Sequence, residues 1–135
     1  MHFAIWFCIG LLAAWPVLWI VSRQSPARAQ QTLGLGLIVA ALIYPGFALL
    51  RGDVLWLMLE FAGVFTYGMF YLLSIRFSVN WLAIGWLAHP LWDALLHLGG
   101  PAQHIAPHWY AIACIPFDIA VAVYVFVRLH RPAHA

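Results

Sequence analysis

Charge is what this chain has least of. Only 7% of its 135 residues are Asp, Glu, Lys or Arg, and lysine is absent altogether. A soluble domain carries roughly 25% charged residues, so a water-solvated globule is excluded. Nucleic acid is excluded as a partner on the same ground. A net charge of +2 leaves no basic stripe to follow phosphates. Cysteine occurs only twice. Cys8 and Cys114 form neither a disulfide framework nor a CxxC pair, and each sits in an apolar run that suits a reduced, buried thiol. What is abundant is apolar surface, with 66% hydrophobic and 16% aromatic residues. A soluble core of this size could not hide it, which leaves a multi-pass membrane protein.

A helical span needs roughly 20 mostly apolar residues. Five stretches meet that length, near 3–22, 32–50, 54–75, 79–98 and 109–127. The expected fold is all-α, a single domain over residues 1–135 built as a bundle of about five transmembrane helices. Only Arg51-Gly52-Asp53 joins the second stretch to the third, which predicts a tight antiparallel hairpin. Orientation follows the arginines, because cytoplasmic segments collect them. With the N-terminus outside and the C-terminus cytoplasmic, Arg23, Arg28, Arg76, Arg128 and Arg131 fall inside, and Arg51 alone falls outside. Ala27-Arg28-Ala29 looks like a signal-peptidase site. Cleavage there would put Arg76 and Arg128 outside, so the first stretch is read as a retained helix.

Ionisable residues within a span are costly and seldom face lipid, so each is a functional candidate. They are Glu60 in the third stretch, His89, Asp93 and His97 in the fourth, and Asp118 in the fifth. His89-x3-Asp93-x3-His97 runs along one helical face, as does Cys114-x3-Asp118. Depth gives a separate test. Counted at about 1.5 Å per residue, His89 and Asp118 both lie roughly 13 Å from the outer boundary, and Glu60, Asp93, Tyr44 and Cys114 about 8–9 Å. Helices of opposite direction thus carry their polar groups at matching depths. This predicts one polar cavity in the outer half of the bilayer, with His97, His104 and His108 at its mouth. Pro90 and Pro116 free the carbonyls of Trp86 and Ile112, which suits a shaped, wet cavity. Tyr44, Trp86, Trp92 and Cys114 are its expected pocket residues.

The stretch Gly85-Trp86-Leu87-Ala88-His89-Pro90-Leu91-Trp92-Asp93, closed by His97, resembles a family of small bacterial integral membrane proteins of unknown function. Cys114-Ile115-Pro116-Phe117-Asp118 is similar to that family's second signature. The resemblance implies a bacterial inner-membrane protein with a polar centre, and it implies no activity.

The residues themselves favour a metal-assisted enzyme acting on a lipid or another hydrophobic small molecule. His89, Asp93, His97 and Asp118 offer imidazole and carboxylate ligands for zinc or iron, which would activate a bound water. Glu60 and Asp93 are the catalytic candidates, with Glu60 as general base. Three other readings stay open. One is a metal-free isomerase or binding module for a terpenoid-like lipid. Another is a proton-coupled transporter, for which five spans would require a homo-oligomer. The last is polar glue between helices, at about 0.6 to 2 kcal/mol per contact.

Overall fold

The computed structural model describes residues 2–130, so Arg131 lies outside the described residues. Those residues form helices and short connections, with no strand among them. The helices are α1 (His2–Ser22), α2 (Pro26–Arg51), α3 (Val54–Arg76), α4 (Asn80–Trp92) and α5 (His108–Tyr124). Both α4 and α5 run on into a π-helical turn, Asp93–His97 and Val125–Leu129 respectively.

Local chemistry sets the boundaries. Ser25 caps α2 by accepting from the Arg28 amide at 3.4 Å, and Pro26 occupies the first turn, where its missing N–H costs nothing. At the other end Gly52 takes a left-handed φ of 69°, and the amides of Gly52 and Asp53 bond back to Leu49 and Ala48. Asp53 then caps α3, its Oδ1 accepting from the Trp56 amide at 3.0 Å. Three residues therefore end one helix and start the next, and α2 and α3 form the antiparallel hairpin expected from their short connection.

Among the described residues, four helical segments are long and apolar enough to cross a membrane: α1, α2, α3 and His108–Leu129. The fourth stretch differs from the other expected spans. It is a 13-residue α-helix followed by a five-residue π turn, and it lies among the other helices. It packs on α5, α3 and α2, while α1 lies along α5 and touches α2 little. One face of α4 is therefore wholly buried, through Leu82, Ala83, Gly85, Trp86, His89 and Pro90. The outward faces of the long helices are apolar instead, with Leu50 84% and Phe65 80% exposed. This is the reverse of a water-soluble bundle.

A second, smaller core forms where the chain between α4 and α5 folds back. Ala102 and Ile105 are buried against Ala48 of α2, with Phe47, Trp56, Leu57 and Leu96 around them. The connection therefore acts as a cap over the end of the bundle at the α2–α3 hairpin.

Candidate functional site

Two buried polar clusters lie on α4 and its π turn, one facing α5 and the other facing α3. The first holds His89, Asp93 and Asp118, which are 0%, 0% and 1% exposed. His89 Nδ1 stands 2.8 Å from Asp118 Oδ2 and 3.5 Å from Asp93 Oδ2. One ligand atom from each residue can be chosen so that all three lie within 4.8 Å of one another. Against Asp118, the imidazole N–H donates and the carboxylate accepts. Both oxygens of Asp93 and the Nε2 of His89 are buried without a hydrogen-bond partner. In a native interior such orphans are few, and each calls for an explanation.

The second cluster is Glu60, Trp92 and His97. The Trp92 indole donates to Glu60 Oε2 at 3.1 Å, and His97 Nε2 faces Glu60 Oε1 at 3.1 Å, outside hydrogen-bond alignment. His97 Nδ1 lies 3.2 Å from the carbonyl of Ala102, which can only accept, so Nδ1 carries a proton. The π turn explains the split. A wider turn rotates His97 off the line of His89 and Asp93 and toward α3, so one helix serves two sites.

Tyr44 of α2 links the clusters through its ring. It stacks on His97 at a centroid distance of 4.3 Å and lies 5.9 Å from His89. Tyr67 of α3 sets its ring edge against His89 at 5.0 Å, and its hydroxyl donates to the Ala88 carbonyl at 3.4 Å.

Beside the first cluster runs an apolar groove of about 470 Å³, walled by α1, α2 and α5. Trp86 and Cys114 line it, and Asp118 is the one carboxylate on its wall. Trp86 is fixed there by its indole, which donates to the Leu33 carbonyl at 3.1 Å.

The sequence profile of a family of unknown function, DUF6010, matches residues 5–131. The chain belongs to that family. No curated protein and no solved structure matches it. The DUF6010 match contains every residue of both clusters and of the groove wall, so the whole candidate site lies within the family's matched region.

The structure brings His89, Asp93 and Asp118 together and assigns Glu60 to a different neighbour, His97. His97 also departs from its expected place. It is 0% exposed beneath the cap and not at a mouth, because Ala102 covers it. His104 is exposed on the connection between α4 and α5, and His108 is exposed at the first position of α5. His104 Nε2 pairs with Asp53 Oδ2 at 3.1 Å. The Trp56 amide, and then His104, hold the Asp53 carboxyl below the usual carboxylate range. Of the pocket candidates, Trp86 and Cys114 face the groove, whereas Tyr44 and Trp92 sit in the polar layer. Sequence reasoning missed Tyr67. Its signal was available: it lies seven residues after Glu60, two turns along the same face.

Proposed function

We propose that this DUF6010 protein is an integral membrane enzyme that holds a divalent metal at His89, Asp93 and Asp118 and acts on a hydrophobic small molecule. One observation carries the reading: two carboxylates and an imidazole meet in the interior, and both Asp93 oxygens lack partners. Buried carboxylates without partners cost several kcal/mol unless neutralised or bound to a cation.

The donor set fits such an ion. Ligands bonded at about 2.0–2.2 Å to a tetrahedral centre stand about 3.3–3.6 Å apart. The separations from His89 Nδ1, 2.8 and 3.5 Å, require only small adjustments. When bound, zinc or iron would supply a water of lowered pKa and a Lewis acid. The protein's own contribution is positional. Asp118 holds the His89 ring through the Nδ1 proton that a metal would displace. Tyr67 and Tyr44 pack against that ring and fix its plane. Glu60, paired with Trp92 and His97, is the candidate general base in the neighbouring cluster.

The membrane reading rests on the four long apolar helical segments and their apolar outward faces. Its orientation rests on the arginines. Arg23, Arg76 and Arg128 fall at one end of the bundle and Arg51 at the other, which favours an outside N-terminus in a bacterial inner membrane.

Metal analysis of detergent-purified protein tests the proposal. About one zinc or iron per chain is expected, lost in His89→Ala and Asp118→Ala while the helical signal persists. A second reading, polar glue between α4 and α5, is favoured by the direct 2.8 Å His89–Asp118 bond. It prevails if the native protein binds no stoichiometric metal and His89→Ala lowers only thermal stability.

A further inference from the structure

The groove beside Asp118 has a shape that selects its occupant. On α5 its wall runs from Trp109 to Val121, and on α2 from Thr32 to Ile43. At about 1.5 Å per residue the longer wall measures about 18 Å, parallel to the helix axes. A volume of about 470 Å³ spread over that length gives a mean section of about 26 Å². That accommodates an extended hydrocarbon chain lying along the groove. The walls are close to wholly apolar, as a chain requires and a polar ligand does not.

Access comes from the side. Because α1 packs along α5 and touches α2 little, the groove lies open between α1 and α2 along the face that the membrane reading turns toward lipid. No polar gate has to be crossed, and an amphiphile can slide in from the bilayer without leaving an apolar medium.

Position along the groove matters as much as section. Asp118 lies nine residues beyond Trp109, or about 13 Å into the groove from that end. A single-chain lipid with its headgroup at the Trp109 end therefore brings a mid-chain carbon, and not its headgroup, to the height of Asp118. We infer that this groove binds a single-chain lipid lengthwise, with the middle of its hydrocarbon chain against Asp118. The inference deepens the proposed function by naming a substrate class, and it rests on that reading for the identity of Asp118 as part of the reacting centre.

Photolabelling tests it. The full chain in phosphatidylcholine nanodiscs is irradiated with palmitic acid carrying a diazirine at mid-chain, or with the same acid labelled at its methyl end. The mid-chain probe is expected on the stretch from Cys114 to Asp118, and the methyl-end probe near Val121. A Cβ at Gly36 would meet only the Trp86 ring, at 3.6 Å, so Gly36→Leu sets its side chain in the groove beside Trp86. That substitution should cut mid-chain labelling about tenfold by occupying the ligand's space. Ala13→Leu, on the α1 wall, should do the same if Gly36→Leu fails to fold. Unchanged labelling in both variants overturns the inference, as does even labelling over the outward faces of α1, α2 and α3. Displacement by a sterol but not by unlabelled palmitic acid overturns it in favour of a rigid ring system. Metal content is measured on the same samples. A metal-free protein that labels as expected keeps the lipid site and removes the metal reading. A metal-loaded protein that does not label does the opposite.

Discussion

Glu60 and His97 face each other at 3.1 Å from different helices, with Ala102 bonded to the far side of the imidazole. The His97 Nδ1–H is committed to that carbonyl, which fixes the ring with Nε2 toward Glu60. The Trp92 indole donates to the other carboxylate oxygen, Oε2, at 3.1 Å, so Glu60 lies between two side chains of one helix and its π turn.

Removing that arrangement should be costly in a graded way. Trp92→Phe deletes one donor and should destabilise by about 0.5–1.5 kcal/mol. Glu60→Ala strands both the Trp92 indole and His97, and should cost about 1–3 kcal/mol. Equilibrium unfolding of the purified variants in mixed micelles measures both. A Trp92→Phe effect larger than that of Glu60→Ala would contradict the geometry.

Asp53 predicts an acid limb. Its carboxyl is held below the usual range by the Trp56 amide first and by His104 second. A carboxylate lowered in the folded state adds stability that is fully present above its unfolded value, about pH 4, and lost as pH falls through the folded value. Asp53→Asn keeps a capping oxygen and removes the titration. A melting midpoint followed from neutral to acid pH should fall less steeply in that variant than in the parent, with no difference between their slopes above about pH 5.

Gly10 and Gly68 should respond in opposite ways to the same change. A Cβ on Gly10 would collide with the Ala113 carbonyl, whereas one on Gly68 meets nothing within 4 Å. Gly10→Ala must push α1 away from α5 and should cost about 1–3 kcal/mol. Gly68→Ala should be neutral or gain up to about 1 kcal/mol from the stiffer unfolded chain. Thermal midpoints of the two variants settle the comparison, and similar values would refute the close α1–α5 approach.

Topology is open to cysteine labelling in a background without Cys8 and Cys114. A cysteine at Gln103, on the exposed cap, should react with a membrane-impermeant maleimide in intact cells. One at Gln24, in the α1–α2 connection, should react only after lysis. The reverse pattern would invert the orientation drawn from Arg23, Arg76 and Arg128.

Much of this arrangement was legible in the sequence, and the reasons are local. Helix boundaries at Ser25, Gly52 and Asp53 follow from capping chemistry, which acts over three or four residues. The shared height of His89 and Asp118 was readable from depth, since helices of opposite direction bring matching rungs together. Glu60 could not be assigned to the right partner in that way. Depth fixes a height along the axis and leaves the direction around it undetermined, so depth puts Glu60 with His89, whereas it faces His97. The cap was equally hidden, because the burial of Ala102 and Ile105 depends on a pocket made by α2 and α3, distant in the chain. The fourth stretch, expected as one of five spans, is not among the four helical segments long and apolar enough to cross a membrane, and hydropathy does not register its change of helical pitch.

That change of pitch acts as a spacer. Between Asp93 and Leu98 the chain carries one residue more than a regular α-helix would use, which amounts to a single-residue insertion held inside a folded helix. Deleting Ala94 would swing everything beyond it by about 100° around the axis. His97 would leave Glu60, Ala102 would lose its anchor, and the cap would be pulled out of register. A one-residue change in length is therefore what lets a single short helix present different chemistry to two neighbours.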